Sequence, residues 1–131
     1  MYFKNKVMKA SELRIGNLVE KYLEPQISEW IETTVTIQTF IEIGINPDRH
    51  GYRPIPLTEE WLVKLGFKQM YFLGAKINYY VKGSIIYSII DRHVEYKNGN
   101  INFIIRKCEH VHDLQNLYHA ITGQELTLKT K

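Results

Sequence analysis

The chain predicts an α+β fold: a curled antiparallel sheet, SH3-like in its first strands, with a short middle helix and a C-terminal helix packed on the sheet. Three observations carry that expectation. Short β-rich runs separated by turn residues fill 68–107, helix start and stop signals bracket Thr58–Phe67, and 109–123 holds one apolar stripe at helical spacing.

In chain order, Ala10-Ser11-Glu12-Leu13-Arg14 predicts one helical turn capped by Ser11, and Gly16-Asn17 marks a turn or bulge ahead of a short strand. From Lys21 to Ile31, Pro25 and single apolar residues among charges predict a loop or edge segment anchored by Trp30. Thr33 to Ile43 is rich in β-branched residues, with Val35, Ile37, Ile41 and Ile43 at multiples of two and Phe40 off the rhythm, so it predicts a strand with one buried face. Asn46 to Gly51 gathers turn formers, and Pro54 and Pro56 hold the chain extended through Ile55, because a residue before proline avoids the helical region.

Thr58 is an N-cap, Glu59 and Glu60 occupy the positive first turn, and Gly66 with Phe67 marks the C-terminal stop. Trp61, Leu62 and Leu65 share the face that turns to the core. Strands are expected over Lys68–Leu73, Lys76–Val81, Ser84–Ile90, His93–Lys97 and Asn100–Lys107, with Lys82-Gly83 a tight turn and Asn98-Gly99 a type I′ hairpin. The run Ile85 to Ile90 predicts a strand covered on both faces. Val111, Leu114, Leu117, Tyr118 and Ile121 trace the stripe of the last helix, Gly123 ends it, and the residues beyond are expected to fray.

The 131 residues, 44% hydrophobic and 24% charged, suffice for a single domain over 1–131 with its own core, and exclude a disordered tail. A net charge of +3 is mild, and the basic residues are scattered, the densest groups being Lys4, Lys6, Lys9 and Lys129, Lys131 at the ends. That distribution is the solvated surface of an ordinary protein and lacks the basic stripe of a dedicated duplex-DNA binder. The single cysteine, Cys108, cannot form an intrachain disulfide, and the sequence has neither an apolar leader nor an apolar run of membrane-spanning length. The expectation is a soluble, intracellular protein without membrane contact, in a bacterial cytoplasm or a phage-infected cell, which composition does not separate.

Cys108, His110, His112 and His119 invite a metal reading, but they lack a second ligand pair, and on one helix His110 and His112 would point about 200° apart. No metal and no cofactor is expected. A Cys108 nucleophile lacks a local signature, so a buried small apolar residue is the better account. Glu59 and Glu60 are explained by the helix first turn, and Asp91, Glu95 and Asp113 show no spacing for acid/base work. Neither phosphate-binding glycine motif occurs. Basic residues interleaved with tyrosines are more informative: Arg49, Tyr52 and Arg53; Tyr79, Tyr80 and Lys82; Arg92, Tyr96 and Lys97. Such groups can meet phosphates and stack on unpaired bases, although tyrosines packing along strands and cations solvating their edges explain the same pattern.

Three blocks together resemble small uncharacterised proteins of Bacteroidetes genomes, prophages and phages: Leu13-Arg14-Ile15-Gly16-Asn17; Pro54 to Leu62 with Gly66-Phe67; and Val111 to Tyr118 with Ala120, Thr122-Gly123 and Glu125-Leu126. The resemblance implies a setting in mobile elements that carry small inhibitors of host defence, including inhibitors of RNA-targeting CRISPR effectors, and brings no site residues with it. The expected function is therefore a non-enzymatic interaction module, an anti-CRISPR-like inhibitor binding a host defence protein or ribonucleoprotein. The alternative is an accessory protein that binds RNA or single-stranded nucleic acid through the residues above.

Overall fold

The computed structural model describes residues 7–23 and 29–129. A short 3-10 turn, Ala10–Glu12, precedes β1 (Leu18–Leu23), β2 (Glu29–Thr34), α1 (Ile37–Ile45), β3 (Tyr52–Arg53), α2 (Glu59–Lys64), β4 (Lys68–Phe72), β5 (Ala75–Lys82), β6 (Ile85–Ser88), β7 (His93–Asn98), β8 (Ile101–Lys107) and α3 (Val111–Thr122). The fold is α+β with two antiparallel sheets, ordered β2-β1-β3 and β4-β5-β6-β7-β8. The first strands form a separate small sheet and do not begin a closed barrel, so the SH3-like expectation is corrected.

The expected strand over Thr33–Ile43 is the largest local correction: only Thr33 and Thr34 end a strand, and α1 follows. Thr36 is extended at φ −128°, and its N–H donates to Thr39 Oγ1 at 3.0 Å, which fixes the helix start. Thr39 and Ile43 are buried four residues apart, while Ile37, Ile41 and Ile45 repeat the same interval on the open side. An interval of four is two strand repeats and about one helical turn, so the sequence spacing did not discriminate between them.

Further corrections are smaller. Lys21–Leu23 and Glu29–Ile31 belong to β1 and β2, where Tyr22 opposes Trp30, and residues 24–28 of the expected loop lie outside the described residues. Lys4, Lys6 and Lys131 lie outside them as well. The first turn is held by the Lys9 N–H donating to Glu12 Oε2 at 3.1 Å rather than by Ser11. The final hairpin turns on Gly99-Asn100, because Asn98 pairs with Ile101, and only Gly99 has a positive φ (+65°). Glycine at the first central position is the type II′ pattern. Beyond α3 the chain is tied down: Leu126 is buried, and the Lys129 N–H donates to the Lys64 carbonyl at 2.7 Å.

Helix α2 forms as expected, with the Trp61 N–H donating to Thr58 Oγ1 at 3.3 Å. Leu62 and Leu65 from this segment, Leu114 and Tyr118 from α3, and Tyr80, Ile85, Tyr87 and Val94 from the large sheet build the main core. A second core joins Met8, Leu13, Val19, Val35, Ile43 and Tyr52 between the small sheet and α1. Polar side chains of α3 stitch the two together: Asn17 Nδ2 donates to Asn116 Oδ1 at 2.9 Å, and the Leu18 N–H donates to Gln115 Oε1 at 2.8 Å. Among the described residues, no helix is long and apolar enough to cross a membrane.

Between β4 and β5, Phe72 opposes Ala75, so Leu73 and Gly74 are the two central turn residues, with φ of +53° and +82°. Both must be left-handed in a type I′ turn, which glycine accepts freely and leucine does not. Leu73→Asn is expected to raise stability by about 1 kcal/mol, because asparagine tolerates the left-handed region better. A melting temperature at or below that of the parent chain would count against strain at this turn.

Candidate functional site

The nine basic and aromatic residues singled out from the sequence divide between the two sheets. Near the small sheet, Arg49 is exposed in the turn after α1, whereas Tyr52 is buried and donates its hydroxyl proton to Glu42 Oε1 at 2.7 Å. Arg53 donates through Nε to Glu20 Oε1 at 2.7 Å and lies 4.0 Å over the Trp30 ring. On the large sheet, Tyr80 is buried, its single proton shared between Glu59 Oε1 at 2.8 Å and Gln69 Oε1 at 2.9 Å. Burial, with Glu59 beside it, pushes this phenol up to about 12. Tyr79 alternates with Tyr80 onto the opposite face, Lys82 and Tyr96 are half-buried, and Lys97 is exposed. Arg92, at φ +58°, donates through Nη2 to the carbonyls of Leu57 and Glu109 at 2.9 and 3.2 Å. Tyr52, Arg53, Tyr80 and Arg92 thus hold structural bonds, and the nine residues do not share one surface.

Tyr52 organises a small electrostatic cluster. The Lys21 ammonium is 3.2 Å from Glu42 Oε1 and lies over the Tyr52 ring. The Tyr52 hydroxyl, followed by Gln38 and Lys21, holds the Glu42 carboxyl below its ordinary 4.5 against the opposing effect of burial. A lowered carboxyl pKa contributes stability that is fully present above the unfolded value and disappears as pH falls through the folded one. Tyr52→Phe is therefore expected to cost about 1 kcal/mol at neutral pH, with the difference narrowing below about pH 4. Parallel urea titrations at the two pH values read this directly, and a gap that widens in acid contradicts the assignment.

At the start of α3, the histidines meet in a way the helical angle did not foresee. His110 is the extended N-cap residue, at φ −130°, so its ring stacks on that of His112 with centroids 5.8 Å apart and planes 11° apart. His110 Nδ1 lies 3.2 Å from Asp113 Oδ2, and His112 Nε2 lies 3.3 Å from Glu12 Oε1 and 3.5 Å from Asp113 Oδ1. Burial works to raise the Asp113 carboxyl, but the His110 bond and the nearby histidine charges outweigh it and leave the pKa lowered. Ser11, Glu12, Arg106, Asp113 and Asn116 line a cleft of about 360 Å³ beside this cluster. His119 turns away to Glu125 at 3.6 Å, and among the described residues no group of three His, Cys, Asp or Glu is placed to hold a metal. Cys108 is buried, and burial pushes its thiol up to about 12, far from a reactive thiolate at neutral pH.

A second pair escaped the sequence reading. Directly opposed residues share a sheet face, so the registers Ser88 to His93, Ile86 to Glu95 and Glu95 to Ile104 align these side chains on one face. His93 Nε2 meets Glu95 Oε2 at 2.7 Å with both side chains nearly buried, and Asn102 Nδ2 donates to Glu95 Oε1 at 3.4 Å. The available signal was His93 and Glu95 two apart in a strand, the interval that returns to the same face. Ser88 completes the residue types of a Ser-His-Glu set, but its buried Oγ accepts the Asp91 N–H at 3.1 Å and so closes the β6–β7 connection.

The surface with the strongest binding character lies elsewhere. Tyr71, Phe72 and Leu73 form a contiguous exposed apolar tip on the β4–β5 hairpin, with Leu73 91% exposed. The opposite edge strand, β8, exposes every residue, including Ile101, Phe103, Ile104 and Ile105. Aromatic and aliphatic side chains grouped in this way are characteristic of protein contacts, because their desolvation is favourable only when a partner covers them. In comparisons with known proteins, the chain matches no family model, no curated protein and no solved structure.

Proposed function

We propose that the chain is a non-enzymatic interaction module of the bacterial cytoplasm that docks on a host defence protein or ribonucleoprotein and blocks it. The observation supporting this reading is the β4–β5 finger: Tyr71, Phe72 and Leu73 exposed together on a two-residue turn, Leu73 held at φ +53°. A leucine kept at a left-handed tip where Asn or Gly is easier is a cost to the fold, and such costs gather at functional positions. Tyr71 and Phe72 supply broad apolar area with few rotatable bonds, as hot-spot anchors do. The mobile-element setting implied by the LRIGN, PIPLTEEWL and VHDLQNLY blocks supplies the class of target.

The test is affinity capture from host cells with the tagged chain, with and without nuclease, followed by reconstitution with the purified partner. Tyr71→Ser with Phe72→Ser is expected to weaken the reconstituted complex at least tenfold while leaving the melting temperature nearly unchanged. Leu73→Asn should weaken it too, although it stabilises the free chain. A complex indifferent to these changes removes the finger from the interface. Capture abolished by nuclease, with RNA enriched, favours the nucleic-acid reading instead.

A further inference from the structure

We propose that β8 is the self-association edge of this protein, pairing antiparallel with β8 of a second copy to join the two large sheets into one. This goes beyond the target-binding reading and does not depend on it. As the last strand of its sheet, β8 pairs among the described residues only with β7, so a row of backbone donors and acceptors faces outward along seven exposed residues. The partner that satisfies such an edge is another strand.

The sequence of the strand argues that this partner is a second copy. In Ile101-Asn102-Phe103-Ile104-Ile105-Arg106-Lys107, the apolar run is centred on Phe103. A two-fold axis at Phe103 sets Phe103 against Phe103, Ile101 against Ile105 and Asn102 against Ile104. It carries Arg106 and Lys107 outward to the Asn100 and Gly99 turn of the other copy. Parallel pairing in register would instead align Arg106 with Arg106 and Lys107 with Lys107, which like-charge repulsion opposes. The register shift at Val94/Glu95 makes Ile105 the extra residue of a bulge, so regular pairing across the axis is confined to Asn102, Phe103 and Ile104, Ile105 only flanks Ile101 of the other copy, and the two cations follow. Both are devices that stop an edge from pairing indefinitely, consistent with one closed contact rather than a fibre.

The area makes the contact weak. Ile101, Phe103, Ile104 and Ile105 are between 42% and 66% exposed, which gives on the order of 400 Å² of apolar surface per copy. Because Phe103 and Ile104 lie on opposite faces, a strand laid alongside covers only part of each patch, so the contact falls below the roughly 1,200 Å² of a standard specific interface, in the range of weak associations. The association is therefore reversible and concentration-dependent.

Light scattering coupled to size exclusion, run on the full chain from low to high micromolar concentration, is expected to show a mass that rises from one to two chains. Phe103→Glu places two carboxylates across the axis, and Ile104→Lys puts a charge in the same contact while standing opposite Glu95 within its own chain; each is expected to raise the dimer dissociation constant at least tenfold. Because Phe103 borders the helix-covered face, a melting curve accompanies each variant, and the more exposed Ile104 decides if Phe103→Glu does not fold. Phe103→Cys should cross-link under mild oxidation, while Leu73→Cys at the far edge should not; Cys108 is buried and does not compete. A chain monomeric at all concentrations, including one whose edge takes up a strand from another protein, overturns the proposal. So does a dimer unaffected by Ile104→Lys, or one that cross-links equally through Leu73→Cys.

Discussion

Replacing Gln115 by leucine is expected to destabilise the protein by about 3 kcal/mol and to lower its melting temperature by roughly 10 °C. Gln115 is buried in α3 and works with both ends of its amide. Its Oε1 accepts the Leu18 N–H at 2.8 Å, and its Nε2 donates to the Leu126 carbonyl at 3.1 Å and more weakly to the Gly16 carbonyl at 3.4 Å. One side chain thus joins the start of β1, the last helix and the C-terminal segment. Leucine matches the volume but leaves buried backbone groups unpaired, each costing about 1–3 kcal/mol, so the loss exceeds the worth of the bonds themselves. Gln115→Glu is expected to be at least as damaging, because it keeps the acceptor for Leu18 but turns a carboxylate toward two carbonyls. Urea denaturation followed by circular dichroism measures both, and a Leu variant within about 1 kcal/mol of the parent would falsify the clamp.

The second large effect is at Arg92, where backbone and side chain pull in opposite directions. Its guanidinium binds the carbonyls of Leu57 and Glu109, the segments leading into α2 and α3, which also pair directly through the Leu57 N–H and the Glu109 carbonyl at 3.0 Å. Arg92→Ala removes a charged donor and keeps a residue with a Cβ at φ +58°, for an expected cost of about 2 kcal/mol. Arg92→Gly loses the same bonds but relieves the left-handed backbone, so its cost should be about 1 kcal/mol less. If alanine proves as stable as glycine, the backbone at this position is not strained. The comparison also decides how Arg92 is used in binding experiments: lost RNA affinity in an Arg92→Ala variant has to be corrected for lost folding first.

What was legible in the sequence was whatever short-range chemistry decides. Thr58, Glu59 and Gly66 defined α2 because caps and first-turn charges act within one turn, and the 111–121 stripe defined α3 because only one face of it can be buried. The β-meander was visible because turn residues separate its strands at regular intervals. Thr33–Ile43 misled because its β-branched composition favours a strand while an interval of four suits both structures, and burial of Thr39 and Ile43, the latter in the second core, overrode that preference in favour of the helix.

The candidate sites divide along the same line. The sequence by itself determined the α+β class, the two amphipathic helices, the order of the meander strands and the mild positive charge, whereas strand register moved the turns by one residue, to Gly83-Ser84 from the expected Lys82-Gly83 and to Gly99-Asn100 from Asn98-Gly99. Only the tertiary structure decided that Tyr52, Tyr80 and Arg92 face inward to hydrogen-bond partners, that His110 and His112 stack, and that the β4–β5 tip, the β8 edge and the open side of α1 carry exposed apolar residues. The reason is physical: propensity and capping depend on neighbours within a few residues, whereas exposure depends on which long-range pairings close the core. An edge strand has the same sequence character as a central one until its neighbours are known.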